Sequence, residues 1–275
     1  MRIMTWNINR FNGIWNSYHN GFDLRQKARE EYADKITDKL REFLVDENDI
    51  VVLQEVPYVL ENNNEWEQLW KPTIEKKELF TFSNLDIGKK CNYNELWYTS
   101  YSQTIAMTTK ESNWKSVEKI DKLNLKFDLD KNKRPFANKY VEMYNATIDM
   151  SLIGVHLNWE EEYWKKLAEN ANKFAVIVGD FNYNSLLKND KNIERKRKEK
   201  YCEILKTHKQ VMPEDLITDN QDVSGIDKFF LRNDLLEKSK YSISVLDHSF
   251  VRKTTQGKLR YSDHNLCICN IERIR

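Results

Sequence analysis

The sequence predicts a layered α/β fold, and three observations carry that prediction. Short apolar runs of strand length, such as Ile50-Val51-Val52-Leu53 and Ala175-Val176-Ile177-Val178, alternate with longer stretches of helical periodicity, the rhythm of helices packed on sheets. Between Asp23 and Val45, the residues Ala28, Tyr32, Ile36, Leu40 and Leu44 recur at four-residue steps, one apolar stripe on a helix otherwise covered in charge. Five apolar runs also end in residues that bind metals or move protons: MTWNIN in Asn7, VVLQE in Glu55, IGVHLN around His156, VIVGDFN in Asp180 and Asn182, and YSDHN in Asp263 and His264. Burying so many polar groups without partners would cost roughly 2 to 7 kcal/mol each, so their recurrence at strand ends points to a site rather than to a core.

The elements follow in order. Arg2 to Ile8 reads as a buried strand ending near Asn7, the Asp23 to Val45 helix comes next, and Asp49 to Leu53 is a second buried strand from whose end Gln54 and Glu55 emerge. Pro57 to Lys90, rich in Trp, Glu and Asn, reads as helix and loop. In it Trp66 and Trp70 stand one helical turn apart, a spacing of packing partners more than of a base-stacking platform. Trp97 to Thr109 alternates as a strand, and Val141 to Val155 holds two more, with His156 following the second. Trp159, Tyr163, Leu167 and Ala171 define a helix that leads into the strand Phe174 to Val178, closed by Gly179 and Asp180. Lys188 to Lys200, KNDKNIERKRKEK, lacks an apolar face and reads as a solvated helix or mobile loop, with a phosphate-contacting arm as the alternative. Strands are expected at Ile226 to Leu231, Ser242 to Leu246 and Leu266 to Ile271, with Asn and Asp making turns in a chain of 7 Gly and 4 Pro. Because the candidate site draws on both ends of the 275 residues, one domain spanning 1–275 is expected.

Composition narrows the class. With 40% apolar and 32% charged residues, the chain has material for a core under a charged surface, and no apolar run reaches the length of a membrane span. The opening MRIMTWNINRF turns polar too early for a secretory leader, so a cytoplasmic protein is expected. Cys91 and Cys202 are isolated and Cys267 and Cys269 share one face of a strand, a pattern of buried thiols rather than of a zinc knuckle or a disulfide framework. A net charge of +1 gives no general argument for nucleic-acid binding, although a local basic face remains compatible with it. No phosphate-binding Walker loop, dinucleotide GxGxxG or GxSxG elbow is present.

Glu55, Asp180 and Asp263 are hard oxygen ligands, and Asn7 and Asn182 add amide oxygens, a set suited to Mg2+, with Mn2+ as an alternative. Zinc, which prefers His and Cys in tetrahedral sets, suits it less. Hydrolysis of a phosphodiester needs an activated water, neutralised phosphoryl oxygens and a stabilised leaving group. His264 can serve as general base if Asp227, in GIDKFFLR, accepts from its other ring nitrogen, and His156 can join the metal at the phosphoryl oxygens. On an extended segment, Asp180 and Asn182 would point the same way, one to metal and one to phosphate or water. Bland alternatives stand beside these: His156 as a packing residue, Asp263 as a turn cap, Asn7 as an edge residue.

Taken together, TWNIN, LQE, GVHL, GDFN, GIDKFF and SDH resemble the endonuclease/exonuclease/phosphatase family, the superfamily of pancreatic deoxyribonuclease, over nearly the whole chain. The resemblance implies a four-layer sandwich, two packed mixed β-sheets flanked by helices, with the site at one edge. It matches Asn7, Glu55 and Asp263 to metal binding, and His156, Asp180, Asn182, Asp227 and His264 to catalysis. Arg134 of KRPF matches a phosphate-contacting arginine, with a surface turn residue as the alternative, and Asn158 is a further substrate-binding candidate. His156 stands where the abasic-site endonucleases resemble one another in having tyrosine, which makes that branch a poorer match. The expectation is a Mg2+-dependent phosphodiesterase, an endonuclease or exonuclease with nucleic acid as substrate. A phosphatase or phosphodiesterase of a small sugar phosphate or lipid headgroup is the alternative, followed by a non-catalytic binding protein of the same fold.

Overall fold

The computed structural model describes residues 1–8, 22–57, 71–83, 102–117, 139–157, 161–183, 192–212, 226–246, 251–254, 257–260 and 264–274. Asp263, Arg134 and Asn158 lie outside these residues, as do Trp66, Trp70, Trp159 and Cys91. In chain order the elements are β1 (Arg2–Asn7), α1 (Phe22–Phe43), β2 (Ile50–Pro57), α2 (Lys71–Lys76), β3 (Leu79–Phe82), β4 (Ser102–Thr109), β5 (Trp114–Ser116), β6 (Tyr140–Asn145), β7 (Met150–His156), α3 (Glu161–Asn170), β8 (Val176–Asp180), α4 (Asn192–Ile204), β9 (His208–Gln210), β10 (Asp227–Arg232), α5 (Asn233–Glu237), β11 (Ser239–Leu246), β12 (Val251–Thr254), β13 (Gly257–Arg260) and β14 (Leu266–Arg273).

Two six-stranded sheets dominate. Their orders are β11-β14-β1-β2-β4-β3 and β5-β6-β7-β8-β10-β9, and β12 and β13 form a separate hairpin. Each large sheet is mixed: β1 runs parallel to β2 and β7 to β8, while their outer neighbours are antiparallel. Reversing the second order superposes the two patterns, so that β8 takes the place of β1, β7 of β2 and β10 of β14. The sandwich is thus internally pseudo-symmetric.

Period-two alternation assigns every strand a face. Ile3, Ile50 and Val52 of the first sheet meet Leu152, Val176, Val178 and Phe229 of the second in the central core. Met4, Trp6, Val51 and Leu53 face the other way, against Tyr32, Ile36 and Leu40 of α1. On the far side, Ile153, Val155, Ile177 and Phe230 pack beneath Tyr163, Trp164 and Leu167 of α3 and Tyr201 and Ile204 of α4. This gives the four layers expected from the sequence, with close contact between the sheets: a Cβ on Gly154 would lie 2.4 Å from Val52 Cγ1.

The turn from α1 into β2 is held by Asp49, which is buried and accepts from the backbone N–H groups of Arg2 (2.9 Å) and Asp46 (3.0 Å) and from Arg2 Nε (3.1 Å). Burial pushes its carboxyl up, but the Arg2 and backbone donors outweigh this and leave it below the usual carboxylate value. Asp49→Ala is expected to cost about 2–4 kcal/mol in urea unfolding at neutral pH, tempered because the Arg2 side chain keeps 36% exposure to screening solvent. The depressed value fixes the sign of the pH dependence: the contribution is whole above pH 3.8 and disappears as pH falls through the folded-state value.

Two expectations need correction. The charge run at Lys188 to Lys200 is not wholly solvated: α4 turns Arg197, 2% exposed, inward with Tyr201 and Ile204, so a cation sits in the three-and-four spacing of the helix's packed face. Cys267 and Cys269 are buried free thiols as expected, whereas Cys202 is exposed on α4. No described helix is long and apolar enough to cross a membrane.

Candidate active site

Where the inner faces of the two sheets reach one edge, their alternation changes from apolar to polar. Ile3 and Thr5 lead to Asn7, Leu152 and Gly154 to His156, and Val176 and Val178 to Asp180. On β10, which runs antiparallel to β8, Leu231 and Phe229 lead back to Asp227. The parallel pairs β1–β2 and β7–β8 end at this edge, and β10 and β14 begin there, so the strands deliver their terminal side chains to one place. Asn7, His156, Asp180 and Asp227 are all buried.

Asp180 occupies the centre. Its Oδ2 accepts from Asn7 Nδ2 at 3.0 Å and lies 3.8 Å from His156 Nε2 and 3.9 Å from His264 Nε2. Its other oxygen accepts from the Asn182 N–H at 2.8 Å. Burial pushes this carboxyl up to about 7; the neighbouring Asp227 adds to the rise, while His264, Asn7 and the Asn182 N–H oppose it. Asp227 stands directly across from Asp180 in the β10–β8 register, and its Oδ2 meets His264 Nδ1 at 3.0 Å. That contact fixes the ring with Nδ1–H donating to the carboxylate and basic Nε2 turned toward Asp180. Trp6 Nε1 donates to the His264 carbonyl at 3.0 Å and holds the backbone of this residue against β1.

Glu55 reaches the site by a different route. Strict alternation after Val51 and Leu53 would send it to the α1 side, but a register irregularity between Leu53 and Val56 and a φ of 54° at Glu55 redirect it. Its Oε1 then accepts from Asn7 Nδ2 at 3.3 Å and lies 3.8 Å from His156 Nε2. His156 is held neutral, well below its ordinary value, by burial and then by the positive charges of Lys139 and His264.

Asn182 departs from the expected geometry. Its φ of 47° breaks the extended chain, so it does not repeat the direction of Asp180, and its Nδ2 donates to the Leu157 carbonyl at 2.9 Å. It ties the end of β8 to the residue that follows His156. The strand ends are further fastened by Leu157 N–H to the Asp180 carbonyl (2.8 Å) and Phe181 N–H to the Ile226 carbonyl (2.8 Å).

The donor set suits a hard divalent cation. Glu55 and Asp180 bring carboxylate oxygens to the two sides of the Asn7 amide, whose nitrogen donates to both, and burial, which pushes the Asp180 carboxyl up, leaves there an anion that a nearby positive charge would relieve. Asp180, Asp227 and His264 also bring potential ligand atoms within 4.8 Å of one another.

Sequence reading missed four contributors along this edge. Gln54 donates from Nε2 to Thr5 Oγ1 at 2.9 Å beneath the site, Trp6 anchors His264, and Thr104 and Lys139 are buried on β4 and just before β6. The signal was present for two of them, since Gln54 and Thr104 continue the inner-face alternation of Val52 and Ala106.

Comparison with known proteins places the fold. The sequence model of the Endonuclease/Exonuclease/phosphatase family matches residues 4–264. No curated protein matches the sequence. Among solved structures, the endonuclease domain of TRAS1, a telomere-specific non-LTR retrotransposon, is similar with a TM-score of 0.57 at 14% identity, covering 100% of this chain and 99% of its own. The catalytic domain of human Nocturnin, with bound sulfate, gives 0.56 at 13% identity and covers 100% and 93%. A 3′ phosphatase from Neisseria, NExo, bound to a product DNA hairpin, gives 0.54 at 14% identity and covers 99% of each chain. At such identities these structures speak for the fold, and the match over residues 4–264 adds the lineage: the chain belongs to the endonuclease/exonuclease/phosphatase family, whose members hydrolyse phosphoesters.

Proposed function

We propose that this protein is a divalent-metal-dependent phosphodiesterase of the cytoplasm, a nuclease that hydrolyses a nucleic-acid phosphodiester by in-line attack of water, with residues 1–275 forming one domain around the site. One observation carries the reading: the Asp180 carboxylate stands within 3.9 Å of Asn7, His156 and His264, while Asp227 orients His264 from the far side. A buried carboxylate, a tautomer-fixed histidine and a neutral histidine at one strand edge are the parts that water activation and phosphoryl stabilisation require.

In this mechanism His264 Nε2 takes the proton of the attacking water, and Asp227 stabilises the imidazolium that results. Asp180 accepts a hydrogen bond from the same water and aims it. Neutral His156 donates to a phosphoryl oxygen without adding a proton of its own to the balance. Asn7, Glu55 and, by its sequence match, Asp263 would hold Mg2+ or Mn2+, which neutralises phosphoryl charge and stabilises the departing oxygen. Arg134 and Asn158 are assigned to substrate by their sequence positions. For nucleic acid over a smaller ester, the sequence of residues 251–260, a few positions ahead of His264, holds Arg252, Lys253, Lys258 and Arg260 with no acidic residue. Two proteins that share the fold, the TRAS1 endonuclease domain and the DNA-bound 3′ phosphatase from Neisseria, support the same substrate class.

Purified protein should nick supercoiled plasmid in Mg2+, and chelator or His264→Ala should abolish the nicking. A folded, Mg2+-binding protein that leaves plasmid intact but cleaves a small phosphate ester would overturn the nuclease reading. Glu55→Gln should raise the Mg2+ concentration needed for half-maximal rate by at least about 10-fold, because a neutral amide is a poorer ligand for a hard cation. Asp227→Asn should lower turnover by roughly 100- to 10,000-fold, since it removes the acceptor that fixes the ring of His264. Full activity with unchanged Mg2+ dependence in either variant would remove that residue from its role.

A further inference from the structure

A cation stands at this edge that no sequence motif announces. The antiparallel register pairs Tyr140, the first residue of β6, with Val155, so Lys139, the residue just ahead of that strand, lies next to the end of β7 that carries His156. It is 6% exposed, and the Lys139 charge acts on the His156 ring. The pseudo-symmetry supplies a control: beside Gln54, the counterpart of His156, the other sheet places Thr104, buried and uncharged. Packing at this corner of the sandwich therefore does not demand a long cationic side chain.

From the register and the burial we propose that Lys139 is a substrate-binding residue, its ammonium meeting a non-bridging oxygen of the substrate phosphate from the His156 side of the site, opposite Asn7 and Glu55. The inference rests on the phosphodiesterase reading above. A buried ammonium is a compact charge with three donors, suited to a tetrahedral oxyanion held at a fixed place. With acidic groups on Glu55, Asp180 and Asp227 and a neutral His156, it supplies on this side the positive charge that a phosphate dianion or diester needs.

Inorganic phosphate is the probe, measured by calorimetry on the full chain with saturating Mg2+. Lys139→Met and Lys139→Gln should weaken its binding by about 10- to 100-fold and raise KM for a phosphodiester more than they lower kcat, with the Mg2+ requirement unchanged. Lys139→Arg should restore most of the phosphate affinity, which a purely structural role would not do. Two neutral variants guard against loss of folding in one; either, folded, settles the matter. A folded neutral variant with wild-type phosphate affinity overturns the assignment of Lys139 while leaving plasmid nicking by the unaltered protein, and the function behind it, standing. If the unaltered protein neither nicks plasmid nor binds phosphate, both readings fall together.

Discussion

Asp180→Asn is expected to lower turnover by about a thousand-fold or more while leaving the protein at least as stable as before. The two halves of this expectation share one cause. Asp180 is fully enclosed at the junction of both sheets, and burial has pushed its carboxyl up to about 7, so the fold holds this group against its preference for water. The amide is the same size and removes the charge that burial opposes, which is why thermal melting in chelator should show a midpoint equal to or above that of the unaltered protein. The same change removes the anion that faces His156, His264 and the Asn7 amide, so the water loses the acceptor that aims it. Activity is read from plasmid nicking and stability from melting of the same preparation. Turnover within 10-fold of the unaltered protein would sink the central role of Asp180, and a large fall in midpoint would mean that the carboxylate serves the fold rather than the chemistry.

Gly179→Ala is expected to be the most damaging single-methyl change in the second sheet. Gly179 has a φ of 139°, and a Cβ there would stand 2.0 Å from the Val155 carbonyl oxygen. The obstacle is backbone of the paired strand β7, which cannot swing aside as a side chain does, and the conformation itself is one that L-residues rarely adopt. Relief requires β7 and β8 to separate where they carry His156 and Asp180. A loss of about 4 kcal/mol or more, or failure to fold, is expected in urea unfolding. Gly154→Ala is the comparison, because its Cβ would meet the methyls of Val52 and a side chain can yield; about 1–3 kcal/mol is expected. Equal costs at the two positions would refute the backbone argument.

The sequence revealed the site wherever chemistry coincided with simple alternation. Asn7, His156 and Asp180 each end an inner-face series begun by apolar residues, and Asp227 begins one, so period two alone carries their side chains to the same edge. Glu55 was recognised by its motif, yet its aim depends on a register irregularity and a positive φ that no periodicity encodes. Asn182 shows the reverse case: two-residue spacing suggested a shared direction with Asp180, and a left-handed backbone, which asparagine tolerates better than most residues, sends its amide to Leu157 instead. Lys139 escaped notice because its meaning comes from a partner across the sheet rather than from a neighbour in sequence. Arg197 was hidden for a related reason, since in a run of charges nothing local distinguishes the one that turns inward. The layers were legible because long helical stripes and buried strands alternate; the short strands β3, β5 and β9 were not, for three or four residues are too few to show a period.

The pairing of β1 with β14 has a consequence for how the protein is made. Thr5 and Cys267 are register partners although the ribosome adds them more than two hundred and fifty residues apart, and His264 arrives just ahead of that last strand. A nascent chain that has released β1, β2, β7 and β8 already holds Asn7, Glu55, His156 and Asp180 but lacks His264, the base of the proposed mechanism. Under that mechanism the site is complete only once β14 docks beside β1, so a polypeptide abandoned before His264 would carry most of the pocket and none of its chemistry.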